Sequence, residues 1–338
     1  MSTNFLAIET SCDETAAAVF TDEHEVLANV VASQTELQAR FGGVVPEVAS
    51  RAHLQRLLPI VDEALQKANL KLNQIHVIAV NHTPGLVGAL LVGVSAAKML
   101  ALALEVPLIG VNHIEAHIYA ARLAAKRDIF PCVGLVVSGG HTTLFHCHSA
   151  LNLERLGATV DDAAGEAFDK VASLLGLGFP GGPAVEREAS QGDPKAYRFP
   201  RSFIREERLD FSFSGLKTAV LYTLGGQNAP RPDPPPPGEL RANLAASFQQ
   251  AAIDVLVAKS RQALQQTGLT RLAIGGGVIA NQALRQAMTK MADKEGAELF
   301  IPSMDLCTDN AAMAALAIEK WKADDFSSLD LDAIPIAF

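Results

Sequence analysis

One strand–turn–strand pattern occurs twice in this chain, and that duplication limits the fold more than any other feature. The apolar run 5–8 leads through the polar turn Glu9-Thr10-Ser11-Cys12-Asp13-Glu14 into a second run at 15–20. The run 133–137 leads through Ser138-Gly139-Gly140-His141 into 142–145. Both read as two strands joined by a small polar turn, and each opens a stretch in which strands and helices alternate. A length of 338 residues is generous for one core and suits two. The expectation is two related α/β halves, 1–130 and 131–338, with the chain end free to pack back on the first.

Between the copies, residues 77–80 form a buried-strand run. Thr83-Pro84-Gly85 follows, then a small-residue helix to about residue 104. Residues 107–111 form the next strand, and Asn112 is a cap for a helix beginning at His113. The second half predicts helices over 161–175, 239–266 and 310–322, and strands over 272–274 and 299–301. A proline-rich stretch, 229–238, is excluded from helix and central strand. Alternation of this kind gives mixed sheets flanked by helices, with ligands beyond the carboxyl ends of the strands.

Composition narrows the function classes. A net charge of −9 argues against a protein that coats nucleic acid without regard to sequence. That balance leaves room for a local groove: Lys195, Arg198, Arg201, Arg205 and Arg208 lie close together, interleaved with Tyr197, Phe199 and Phe203. The alternative reading is a solvated loop. No apolar run of about 18 residues lacks polar breaks, so no membrane association is expected. The first residues lack a basic-then-apolar leader, and Cys12, Cys132, Cys147 and Cys307 are widely spaced. Free buried thiols in a reducing cytoplasm are expected.

Several short motifs carry chemistry. His113 and His117 stand four apart, which on a helix puts both imidazoles on one face, as a metal grip or as two histidines of a polar face. Glu115 lies between them, without the His-Glu spacing of zinc peptidases. Asp309 is a candidate third ligand, or a helix cap before Asn310. Three ligands so distant in sequence are expected to converge from the two halves. Ser138-Gly139-Gly140 and Gly275-Gly276-Gly277 let backbone amides approach an anion, or are plain tight turns, and neither is a Gly-x-x-x-x-Gly-Lys-[Ser/Thr] or Gly-x-Gly-x-x-Gly loop. Gly181-Gly182 is either a close-approach point or a plain turn. The acidic segment 161–170 offers carboxylates to ribose hydroxyls, or a solvated face with a Glu166–Lys170 pair. Asp13 and Glu14 are candidate proton acceptors, metal-water contacts or ordinary turn residues, and Lys217 is a candidate phosphate contact or a surface lysine.

Together, residues 9–15, 113–117, 137–142, 161–170, 211–218, 275–281 and 307–310 closely resemble the tRNA adenosine threonylcarbamoyltransferase family, TsaD in bacteria. The resemblance runs end to end. It implies the two-half, actin-like (ribonuclease H-like) fold shared with sugar kinases and the large heat-shock ATPases. It implies an acyltransferase moving a threonylcarbamoyl group from threonylcarbamoyl-adenylate to N6 of adenosine 37 in tRNAs that read codons beginning with A. It places metal ligands at His113, His117 and Asp309, with iron or zinc as the divalent metal. It places substrate contacts at Val136, Val137, Ser138, Gly139, Gly140, Asp169, Gly182, Glu186 and Asn281. Implied partners are tRNA, an inactive TsaB-type paralogue, a TsaE-type ATPase and a TsaC-type enzyme supplying the adenylate. The proline-rich stretch is longer than the family pattern. Alternatives are a metallopeptidase, a non-catalytic nucleotide-binding scaffold and a small-molecule carbamoyltransferase.

Overall fold

The computed structural model describes residues 2–225 and 235–336. The chain divides into two compact units: Met1–Asp128 with Pro302–Phe338, and Ile129–Ile301.

In unit 1 the strands are β1 (Asn4–Glu9), β2 (Glu14–Thr21), β3 (Val26–Ser33), β4 (Val77–Thr83) and β5 (Leu108–Asn112). They form a sheet ordered β3-β2-β1-β4-β5. β1–β2 and β2–β3 are antiparallel, whereas β1–β4 and β4–β5 are parallel. In unit 2 the strands are β6 (Cys132–Val137), β7 (Thr142–Ser149), β8 (Asn152–Ala158), β9 (Arg271–Gly275) and β10 (Glu298–Phe300). Their order is β10-β9-β6-β7-β8. Here too the first three strands are antiparallel neighbours, and the fourth and fifth add in parallel. The two sheets therefore share one topology. The duplication legible in two hairpins extends to ten strands, the expected pair of related α/β halves.

Burial explains the composition of the strands. β1 is covered on both faces, so it reads as a continuous apolar run. Leu6 and Ile8 join Ile78, Val80, Leu57, Val61, Leu90 and Val94 in one cluster, which helices Pro46–Lys67 and Val87–Leu104 complete. Each such side chain contributes about 1.5–3 kcal/mol by leaving water. Phe5 stacks on Phe20 at 5.3 Å and meets Trp321 edge-on at 5.9 Å. In unit 2, β6 is wholly buried, and the 30-residue helix Gly238–Thr267 packs along the sheet, with Phe248 edge-on to Phe168 at 5.0 Å.

Several expected boundaries shift for identifiable reasons. The helix expected from 161 is Ala164–Leu175, because Asp161 is used elsewhere: its carboxylate accepts from Ser212 Oγ, Phe213 N, and Ser214 N and Oγ. The helix expected over 310–322 is a 3-10 segment, Ala311–Leu316, followed by Ala317–Lys322. Gly181 and Gly182 are the first turn of a helix, Gly181–Ala189, with Pro180 as its cap residue. Helices Pro46–Lys67 and Ser214–Gly225 and strands β3 and β8 had no expectation attached. The proline-rich stretch lies largely outside the described residues, and Pro237 is the cap residue of the long helix. Val87–Leu104 is long and apolar enough to cross a membrane by length and composition. It carries Ser95 and Lys98, and packs against β4 and helix Pro46–Lys67.

Candidate metal centre and glycine-rich turns

The carboxyl ends of β1, β4 and β5 lie side by side, and each delivers a polar group to one place. β5 ends in Asn112, whose side chain accepts from the amides of Ile114 and Glu115 and so starts helix His113–Ala125. Its first turn carries His113 and its second His117, with ring centroids 4.6 Å apart. Asp309 Oδ1 lies 3.6 Å from His113 Nε2 and 3.2 Å from His117 Nε2. Capping of the following 3-10 turn falls to Asn310, which accepts from Met313 N, and not to Asp309. All three residues belong to unit 1, because the chain from Pro302 returns there. The expected convergence from two halves is corrected: the group is assembled within one unit.

The donor set fits a metal. Both imidazoles are buried, and neither ring nitrogen of His117 makes a well-aligned hydrogen bond among the described residues. A buried imidazole left so costs free energy that a cation can recover. His113 is oriented from behind. Its Nδ1 lies 3.1 Å from Glu9 Oε2 and 3.0 Å from Ser11 Oγ, which directs Nε2 towards Asp309. Glu9 is held in turn by the Ser11 amide and Asn81 Nδ2. Burial opposes charge on His113, but Asp309 and Glu9 outweigh it and push it up to about 9. Glu9, Ser11 and Asn81 were absent from the sequence-derived site. The one available signal was a carboxylate closing an apolar strand.

The turn after β1 carries three more acidic groups. Cys12 O accepts from His53 Nε2, and Asp13 O accepts from Gln34 N, which fixes the turn. Gly85 is required here: a Cβ would lie 2.4 Å from Ser11 O. Burial and then Asp13 push Glu14 up to about 8, although Ser33 Oγ donates to it at 2.9 Å. Burial also raises Asp13, and raises the Cys12 thiol well above its ordinary value. The charge of Asp309 adds to all three shifts, which links this turn electrostatically to the metal group.

In unit 2, β6 and β9 are parallel neighbours with Val136 opposite Gly275, so both glycine-rich turns leave the sheet at one end. Gly276 has φ +97°, and a Cβ there would lie 2.4 Å from Val137 O. Val136, Val137 and Ser138 are buried, while Gly139 and Gly140 are exposed, and a Cβ at either would meet nothing within 4 Å. The carbonyls of Ser138 and Gly139 accept from Gly165 N and Glu166 N, which seats helix Ala164–Leu175 against the turn. Gly182 also faces open space. Other expected contacts have structural partners: Asp169 Oδ1 accepts from Gly181 N, Glu186 Oε1 from Gln282 N, and Asn281 Oδ1 from Leu284 N. Asn281 Nδ2 donates to Gln249. The pair Glu166–Lys170 is present at 2.8 Å, and Lys217 is half-buried.

The basic stretch lines a cavity of about 1070 Å³ with Gln250 and Asp254. Two of its five cations are spent internally. Arg201 is bound to Asp254 at 2.8 Å, and Arg208 to Asp210 at 2.8 Å and over the Phe203 ring at 4.3 Å. Lys195, Arg198 and Arg205 form no ion pair among the described residues. Lys259, also outside the sequence-derived site, is buried and donates to the carbonyls of Glu206 and Arg208 at 2.8 and 2.5 Å, pinning the loop.

A family model described as TsaD, tRNA N6-adenosine threonylcarbamoyltransferase, matches residues 25–316. The chain belongs to that family. Relatives of that name in this family include those of Rhodopirellula baltica, 52% identical over 98% of this chain and 96% of its own. Another, from Symbiobacterium thermophilum, is 53% identical over 98% and 95%. Among solved structures, component A of the (R)-2-hydroxyglutaryl-CoA dehydratase of Acidaminococcus fermentans superposes with TM-score 0.55 at 13% identity, covering 95% of this chain and 99% of that one. HypF of T. kodakarensis superposes with TM-score 0.61 at 15% identity, covering 98% and 49%. These two likenesses show the actin-like fold of the family alone.

Proposed function

We propose that this protein transfers the threonylcarbamoyl group from threonylcarbamoyl-adenylate to N6 of adenosine 37 in tRNAs reading codons that begin with A. The observation that carries the reading is the group of buried His113 and His117 with part-buried Asp309, Glu9 orienting one imidazole, in a chain about half identical to transferases of that name.

The chemistry asks for three things. An adenine amine is a weak nucleophile, because its lone pair is delocalised into the ring, so the acyl donor must be activated. A divalent metal, iron or zinc, held by His113, His117 and Asp309 would polarise the carbamoyl oxygen or hold the threonine end. Exposed amides at Gly139 and Gly140 would stabilise the departing adenylate, with Val136, Val137, Ser138, Asp169, Gly182, Glu186 and Asn281 shaping its seat. The attacking amine must lose a proton, and Glu14, raised to about 8, is better matched to accept it near neutral pH than an ordinary carboxylate. Asp13 is the neighbouring alternative. Lys195, Arg198 and Arg205 would grip tRNA phosphates, with half-buried Tyr197 as a stacking surface; Phe199 is buried and backs the Tyr197 ring at 6.1 Å, so it is not one.

The working assembly would include a TsaB-type paralogue and a TsaE-type ATPase, with a TsaC-type enzyme making the adenylate, all in the cytoplasm. Helices Pro46–Lys67 and Val87–Leu104 pack together and expose Leu54, Leu58, Leu91 and Met99, an apolar surface suited to a protein partner. The deciding experiment supplies threonylcarbamoyl-adenylate and unmodified tRNA and measures the modified nucleoside by mass. Absence of product in the assembled system, with proteolysis by the metal-loaded protein instead, would favour a metallopeptidase.

A further inference from the structure

We infer that the β7–β8 hairpin of unit 2 carries a second divalent-cation site, built by His146, His148 and Glu154 and suited to a late first-row metal such as Zn2+. His146 and His148 flank Cys147, which is buried on the other face of β7 opposite Cys132. The β7–β8 register shifts between Cys147 and Ser149, so His148 has no paired residue across the ladder. Such a bulge re-aims a side chain. Here the two imidazole rings come to 3.8 Å between centroids, tilted by 31°. The same register sets Glu154 opposite His146, and its Oε2 lies 3.2 Å from His148 Nε2. One ligand atom from each of the three lies within 4.8 Å of the other two.

The donors select the class of ion. Two imidazoles and one carboxylate suit Zn2+, Cu2+ or Ni2+. Ca2+ and Mg2+ want all-oxygen shells, and no thiolate faces the group. With metal–ligand bonds of about 2.1 Å, tetrahedral ligands stand about 3.4 Å apart. The exposed side chains of His148 and Glu154, at 43% and 64% accessibility, can rotate to close that distance with little repacking. The site differs in kind from the His113 group: it is open to water, keeps coordination positions for solvent, and exchanges its ion readily. Its occupant ties edge strand β8 to β7.

The test uses the full-length, chelator-stripped protein and Zn2+ alone, titrated by calorimetry near neutral pH. Wild type should bind one equivalent more than the His146→Ala/His148→Ala variant. The His113→Ala/His117→Ala variant should keep the weaker, exchangeable equivalent. Glu154→Gln, at an exposed position that leaves the fold intact, should weaken that equivalent by more than about tenfold, the low end of what losing even a supporting group costs a metal site. Co2+ in the His113→Ala/His117→Ala protein should show ligand-field bands that vanish when His146 and His148 are also replaced. Equal Zn2+ stoichiometry and affinity in wild type and the His146→Ala/His148→Ala variant would overturn the site. So would unchanged affinity in Glu154→Gln.

Discussion

The basic stretch makes a quantitative prediction about salt. Five cations are close in sequence, but Arg201 and Arg208 already neutralise Asp254 and Asp210. Lys195, Arg198 and Arg205 are the ones left to displace counterions from a nucleic acid. Replacing Arg198 and Arg205 together with Gln removes two contacts without adding repulsion. Each contact contributes about 0.7–0.9 to the slope of log affinity against log salt, so the slope should fall by about 1.4–1.8. A fourfold rise in salt, from about 50 to 200 mM, should then narrow the affinity gap between wild type and variant by roughly 7- to 12-fold. Fluorescence anisotropy with labelled, unmodified tRNA across a salt series reads this directly. Arg201→Gln with Arg208→Gln is the control: it should change the slope by less than half as much, while costing about 0.2–1 kcal/mol per surface pair in stability. An unchanged slope in the Arg198/Arg205 variant, or a larger change in the control, would refute the assignment of the groove.

Four further outcomes are expected. His113→Ala with His117→Ala should lose the tightly held metal and the transfer activity together; full tight occupancy, measured by elemental analysis in a background lacking His146 and His148, would end the three-ligand assignment. Glu14 is raised to about 8 from 4.5 in the folded, metal-free protein, so the native state holds more protons than the unfolded one between these values, and stability falls as pH rises through that window. Glu14→Gln should accordingly raise the melting temperature of metal-stripped protein at pH 8 and leave it nearly unchanged near pH 4.5; equal effects at both would remove the buried carboxyl as the cause. Gly276→Ala forces a side chain into a glycine-only conformation against Val137 O, at a cost of at least about 1–3 kcal/mol, visible as a lowered melting temperature. The chain alone should turn over poorly on tRNA; robust multiple turnover without partners, in a steady-state assay, would contradict the proposed assembly.

Much of this arrangement was legible because it is local. The spacing of His113 and His117, the cap at Asn112 and the apolar runs of β1, β4, β6 and β9 depend on neighbours within a few residues, where backbone geometry alone sets direction. Duplicated hairpins announced duplicated sheets for the same reason. Residues 181–189 and 214–225 were not legible as helices, because glycine and serine at their starts read equally well as turns.

What the tertiary structure decided is which distant groups meet. Glu9 reaches His113 across 104 positions and Asn81 across 72, through strands that become neighbours only in the assembled sheet. Arg201 finds Asp254 on a helix 53 positions away, turning a candidate phosphate contact into a structural pair. Asp309 joins the histidines because the chain from Pro302 packs into unit 1, an outcome set by burial of Ala311–Ile318 against that sheet. By itself the sequence determined the apolar runs of β1, β4, β6 and β9, the two hairpin turns and the paired imidazoles, since each follows from backbone rules over one or two turns of chain. The partners that orient, neutralise or pin those groups were set by core packing, which no local rule encodes.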